Sequence, residues 1–209
     1  ITGFIWNPTT PNSQNGTMYS LGTLGGELSW GTGINVHGQV VGVSATTDDA
    51  AEHATLWNPT VPNAASGTLH DLGTLGGLHS QANAANVSGQ VAGVSDTAED
   101  GIAHAFLWNP TISNGSMGTM HDIGSLGGTF TIGWDINSNG QVTGDSDTLG
   151  DDASHAFLWK PAIVGSTSGV MHDLGTLGGT DSGASGINHS GQVAGWSNVV
   201  GDESFHAFL

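Results

Sequence analysis

The sequence predicts an all-β fold of four 51-residue repeats, best matched by a four-bladed β-propeller with four-stranded antiparallel blades. Three observations carry this prediction. Trp6, Trp57, Trp108 and Trp159 recur at a constant interval (57 − 6 = 51), and self-similarity at 40–50 residues is the mark of blade-like repeats. The Leu-Gly-Gly corners at Leu24-Gly25-Gly26, Leu75-Gly76-Gly77, Leu126-Gly127-Gly128 and Leu177-Gly178-Gly179 keep the same interval, as do the Gly-Gln-Val turns at Gly38, Gly89, Gly140 and Gly191. No window carries a helical 3,4 apolar period, and the abundance of Gly and β-branched residues opposes helix throughout.

The third unit illustrates the elements in order. His104-Ala-Phe-Leu-Trp108 is a short apolar run that stops at Asn109-Pro110, because proline cannot continue a central ladder. A polar loop leads to a second strand over Gly118–Leu126, and Gly127-Gly128 turns the chain. A third strand over 131–136 ends in the tight turn Asn137-Ser-Asn-Gly140, and a fourth runs from Gln141 to Ser146. The third strand of each unit is rich in small residues (Gly31, Gly33, Ala82, Ala84, Gly133, Ala184, Gly186), which suits strands crowded around a narrow axis. A β-solenoid, for which 51 residues per coil is long, and a linear array of small sheets are the alternative arrangements. The whole of 1–209 reads as a single repeat domain with units 1–51, 52–102, 103–153 and 154–204, leaving 205–209 as a surplus strand.

Composition limits the partners. One Lys or Arg (Lys160) stands against 18 Asp and Glu, a formal net charge of −17. Nucleic acid and anionic lipid are disfavoured, since no cations are present to neutralise phosphate. Cysteine is absent, so disulfides and thiolate chemistry play no part. No apolar run is long enough for a membrane span.

The strand His-Ala-Phe-Leu-Trp at 104–108 and 155–159, with His206-Ala-Phe-Leu209, resembles the bacterial extracellular HAF-repeat family. The likeness extends to Met-His-Asp-Leu-Gly-Thr-Leu-Gly-Gly at 171–179 and to Gly-Ile-Asn-His-Ser-Gly-Gln-Val-Ala-Gly at 186–195, and so covers nearly the whole chain. The first unit departs from it, with Thr2-Gly3-Phe4 for His-Ala-Phe and Tyr19-Ser20 for His-Asp, and the second has Thr55 for Phe. The resemblance implies an exported or surface protein and supplies no catalytic residues.

Twelve of the 18 acids fall in one equivalent turn of each unit: Asp48, Asp49, Glu52; Asp96, Glu99, Asp100; Asp145, Asp147, Asp151, Asp152; Asp202, Glu203. Clustered carboxylates with turn carbonyls are what Ca²⁺ requires, so these are the candidate metal ligands; the other reading is a solvated acidic rim that keeps strand edges unpaired. The histidines form two sets, His53, His104, His155, His206 and His70, His121, His172, with no zinc-like spacing. Neighbours on a strand face opposite ways, so the His-Asp dipeptides at 70–71, 121–122 and 172–173 cannot form part of a hydrolytic triad. Trp30, Trp134 and Trp196 break the repeat and are candidates for stacking on a sugar, against the plainer reading of irregular core filling. Asn15, Asn86, Asn114 and Asn188 begin glycan-acceptor triplets.

A closed four-blade ring has one seat for the repeated first strand, and the sequence contains two claimants, Phe4-Ile5 near the start and Phe205, His206, Phe208 and Leu209 at the end. The expectation is therefore a non-enzymatic, extracellular structural or adhesive protein that self-associates or binds another extracellular polymer, with filaments forming by terminal-strand exchange. The alternative is a carbohydrate- or calcium-binding, lectin-like propeller.

Overall fold

The Leu-Gly-Gly corners decide how the strands group. At Gly127 the backbone is left-handed (φ 107°), and the preceding Leu126 amide donates to Ser146 Oγ at 2.8 Å. The chain thereby leaves one sheet and enters the next. The same amide-to-serine bond occurs at Leu24, Leu75 and Leu177.

In the computed structural model, which describes residues 1–209, strands account for all the regular structure except one 3-10 turn at Thr47–Asp49. A first pair comprises β1 (Phe4–Pro8) and β2 (Gly16–Ser20). Three four-stranded sheets follow: β3 (Gly25–Ile34), β4 (Val40–Thr46), β5 (Glu52–Pro59), β6 (Gly67–Asp71); β7 (Gly76–Ala85), β8 (Val91–Thr97), β9 (Ala103–Pro110), β10 (Gly118–Asp122); and β11 (Gly127–Ile136), β12 (Val142–Thr148), β13 (Ser154–Pro161), β14 (Gly169–Asp173). The last sheet holds β15 (Gly178–Ile187), β16 (Val193–Val199) and β17 (Phe205–Phe208). Within each sheet, sequential strands pair antiparallel. One parallel bridge, Phe130 to Ala103, links the second and third sheets.

The all-β expectation holds, and strand starts repeat at the expected interval (91 − 40 = 142 − 91 = 51). The grouping differs from the sequence reading in two ways. The unit boundaries before 52, 103 and 154 fall between paired strands, so each sheet takes its inner two strands from one unit and its outer two from the next. Phe205–Phe208 is not surplus: it is the third strand of the last sheet, with Gly195 opposite Phe208 and Ser197 opposite His206. The strand expected over Gly118–Leu126 stops at Asp122, because Gly124 (φ 80°) turns the chain toward the corner.

Packing follows the period of two along a strand that is covered on both faces. On β9, Phe106 and Trp108 pack toward the first sheet with Val41, Ala54 and Leu56. Ala105 and Leu107, pointing the other way, pack toward the third sheet with Val142, Phe157 and Trp159. Each full sheet is thus a layer with a core on either side. Glycine permits the closest approaches. A Cβ at Gly144 would overlap the Ile132 carbonyl across the β11–β12 bulge, and one at Gly118 would strike the Trp108 ring. Small inner-strand residues serve the same purpose, since Ala82 and Ala184 are buried where adjacent inner strands meet.

An asparagine ladder ties the sheets together along the inner turns. Asn35 Nδ2 donates to the Asn86 carbonyl at 3.0 Å, Asn86 to Asn137 at 3.0 Å, and Asn137 to Asn188 at 2.9 Å. Each of these side chains also holds its own turn, Asn86 Oδ1 accepting from Ser88 and Gln90 amides. No hydrogen bond or strand pairing joins β15–β17 to β1–β6.

Candidate functional site: a cavity among the inner strands

The inner strands β3, β7, β11 and β15 surround a cavity of about 580 Å³, within the size range of small-molecule sites. Its walls are Thr32 from the first full sheet, Gln81 and Asn83 from the second, Trp134 and Asp145 from the third, and Ala184, Ser185 and Trp196 from the last. Asp145 is held rigidly: Trp134 Nε1 donates to Oδ2 at 2.9 Å, and the Ala184 amide donates to Oδ1 at 2.8 Å. Burial pushes its carboxyl above the usual carboxylate range, outweighing those two hydrogen bonds. Asn83 is buried, donates to the Gly133 carbonyl at 2.9 Å and accepts from Gln81 Nε2 at 2.8 Å.

Of the three tryptophans that break the repeat, the structure brings Trp134 and Trp196 into this cavity and leaves Trp30 outside it, beside Gly3 and Leu21. Asp145 belongs here also, apart from the turn carboxylates with which its sequence position grouped it.

The remaining acidic residues stay in their turns. Asp49, Asp151 and Asp202 accept from the amides of Glu27, Thr129 and Thr180 at 2.8, 2.7 and 2.6 Å, bracing the start of the adjacent inner strand. Asp96 accepts from the His79 amide at 3.1 Å. The two bonds from Thr180 hold the Asp202 carboxyl below its ordinary value. Asp48, Glu52, Glu99, Asp100, Asp147, Asp152 and Glu203 accept no side-chain hydrogen bond, and no three acidic or imidazole groups converge as metal ligands. Among the glycan-acceptor triplets, Asn86 is buried and fully engaged in the ladder, whereas Asn15 and Asn188 are exposed.

The structure also contains a His–Asp contact, repeated in three sheets, that the dipeptide reading missed. His53, His104 and His155 place Nδ1 at 2.9, 2.8 and 2.9 Å from Asp71, Asp122 and Asp173 across the strand pair. The same aspartates accept from the amides of Gly73, Gly124 and Gly175. One signal in the sequence marks the partnership. The first unit replaces both members together, with Thr2 in place of the histidine and Ser20 in place of the aspartate. No Ser or Thr hydroxyl hydrogen bonds to these three imidazoles.

The Asp122 hydrogen bond raises the His104 pKa above its ordinary 6.5, against the effect of burial. For Asp122, burial acts upward but the His104 and Gly124 hydrogen bonds prevail and lower its pKa. A raised histidine stabilises the fold below its unfolded pKa and loses that contribution as pH rises through the folded value; a lowered aspartate loses its contribution as pH falls. The pair therefore acts most strongly between about pH 4.5 and 6.5. Solvent screening limits its worth to about 0.5 kcal/mol. Urea unfolding at pH 6 and pH 9 should show this loss in the native chain and not in His104→Gln, where the difference between the two proteins isolates the pair from the general charge.

No family model matches the chain, and no curated protein matches it.

Proposed function

We propose that the chain is an extracellular, non-catalytic structural or adhesive repeat protein, its sheets acting as propeller-type blades, that extends by adding sheet upon sheet. One observation carries the reading: the contact between successive sheets repeats without closing. The Asn ladder runs in one direction from Asn35 to Asn188, and Asn188 Nδ2 bonds only within its own turn, to Gln192. An interface that repeats from sheet to sheet without closing is open to a further copy at each end. The HAF-like strands and the strongly acidic, cysteine-free composition support the surface location and argue against nucleic-acid partners.

The outer faces suit such growth. Phe4 and Trp6 on β1 are exposed, and the free edge of β1 borders a groove of about 320 Å³ lined by Ile5, Ile34 and Val40. In the intact sheets the equivalent seat is filled: Val91 pairs with Trp108 and Val142 with Trp159. At the other end Phe205 and Leu209 are exposed, with His206 and Phe208 on the β17 ladder. Because Phe208 repeats Phe4 (208 − 204 = 4), β1 of a second copy matches the register that β17 uses on the edge of β16 and would take that edge by displacing β17. Ladder bonds with burial of Phe4 in the place of Phe208 would supply the affinity.

Sedimentation velocity across a concentration series, with electron microscopy of the same samples, tests this reading. Growth of end-to-end particles with concentration, reduced by Phe4→Asp, is expected; uniform monomers at every concentration would overturn assembly.

A further inference from the structure

We propose that the inner-strand cavity binds a neutral saccharide of one or two rings, with Trp134 and Trp196 as the stacking faces and Asp145 and Gln81 as partners for its hydroxyls. The cavity is a different site from the assembly edge, although Trp196 meets Phe205 of β17 edge-on with ring centroids 6.1 Å apart.

The repeat is broken at the cavity. Positions that build the sheets hardly vary between units: Val40, Val91, Val142 and Val193 are identical, as are Ser44, Ser95, Ser146 and Ser197. Several positions that line the cavity vary between units, although that of Ala184 only alternates between Gly and Ala. Thr32, Asn83, Trp134 and Ser185 occupy one of them, and Val43, Val94, Asp145 and Trp196 another. Relaxed constraint at a solvated surface would fill such positions with small polar residues. Here two large indoles stand instead at the wall of one cavity, each about two-fifths exposed (Trp134 40%, Trp196 38%).

The departures also fit one another. Trp134 and Asp145 are hydrogen-bonded to each other, and neither residue type occurs at its position in another unit. At the third variable position the units carry Trp30, Gln81, Ile132 and Gly183. A Cβ at Gly183 would lie 2.7 Å from both Asp145 Oδ1 and Trp196 Nε1. Glycine at 183 thus leaves the room that the carboxylate of one sheet and the indole of the next require. Changes on four strands, at Trp134, Asp145, Gly183 and Trp196, combine into one constellation.

The chemistry of the wall points to the ligand class. Asp145 is the only ionisable side chain on the wall, and both its oxygens already accept a hydrogen bond, so it is held in place with lone pairs to spare. The Trp196 indole N–H, the Ser185 hydroxyl and Gln81 Oε1 make no hydrogen bond within the chain. Aromatic faces beside amide, hydroxyl and carboxylate groups match the apolar C–H face and hydroxyl rim of a pyranose. An anionic sugar would be repelled by Asp145 and by the net charge of −17.

The test uses the intact chain labelled with ¹⁵N, whose seven indole N–H signals report each tryptophan separately. Titration with glucose, N-acetylglucosamine, cellobiose, maltose and chitobiose, and with tetramethylammonium as the cationic comparison, is followed by NMR and calorimetry. At least one of these sugars should shift the Trp134 and Trp196 signals with a Kd on the order of 1 mM. Trp196→Ala should weaken that sugar by roughly tenfold or more, while Trp30→Ala, outside the cavity, leaves it unchanged. Retained Trp108 and Trp159 signals in each variant show that it is folded. The proposal fails if none of the sugars moves either signal at about 50 mM, if Trp30→Ala weakens binding as much as Trp196→Ala, or if tetramethylammonium alone binds.

Discussion

Trp108→Ala is expected to cost about 3–5 kcal/mol, whereas the same change at the equivalent Trp6 costs under about 1 kcal/mol. The two residues share a repeat position, so the difference measures what the flanking strands and the neighbouring sheet add. Trp108 is 2% exposed and lies between Val91 and Met120 on the flanking strands, with Val41, Leu56 and Phe106 in the same cluster. The Gly118 backbone lies against its ring, so no side chain is positioned to fill the space an alanine leaves. Trp6 pairs only with Met18, on one side, and is 42% exposed. Urea denaturation followed by circular dichroism gives both values. Equal losses would mean that the first strand pair is covered in solution as the inner sheets are, which is the outcome that end-to-end assembly predicts at high concentration. Repeating the comparison at two protein concentrations therefore separates packing inside one chain from packing between chains.

The strands and their spacing were legible because the repeat is a local pattern: Trp108, the Gly-Gln-Val turn and the Asn-Pro stop each act within a few residues. Grouping of strands into sheets was less legible, because the Leu126-Gly127-Gly128 corner reads equally as a turn within a sheet or between sheets. What decides is the bond from the Leu126 amide to Ser146, 20 residues away. The His104–Asp122 pair was hidden for a related reason. Proximity in sequence drew attention to His121-Asp122, whereas the antiparallel register sets His104 near Asp122 from 18 residues away. For the cavity, the sequence identified the irregular tryptophans, but only the packing of the third sheet against the last sorts Trp134 and Trp196 from Trp30. Asp145 illustrates the limit most sharply. Its neighbours Ser146 and Asp147 place it in an acidic run, and Asp147 shares its face of β12; position along the strand separates them, Asp145 meeting Trp134 while Asp147 lies nearer the strand end beside Gly128.

The second large effect is expected at Asn86. Asn86→Ala removes four hydrogen bonds at a 5% exposed site: two donated, to Gln90 Oε1 and the Asn137 carbonyl, and two accepted, from the Ser88 and Gln90 amides. The groups left behind lie among packed inner turns, so the loss should reach about 2–4 kcal/mol. Asn188→Ala is the internal control. It disrupts the same turn, with bonds to Ser190, Gln192 and Gln192 Oε1, but it is exposed and has no partner in a following sheet. A cost of about 1 kcal/mol is expected there. Asn86→Asp divides the effect further. It keeps the acceptor that closes the turn, but it turns both donors into a carboxylate facing two oxygens, Gln90 Oε1 and the Asn137 carbonyl, so it should be at least as damaging as alanine. If Asn86→Ala and Asn188→Ala proved equal by urea denaturation, the ladder would hold turns but not sheets. A larger loss at Asn86, with Asn86→Asp no better, makes the side-chain amide the joint through which one sheet fixes the position of the next.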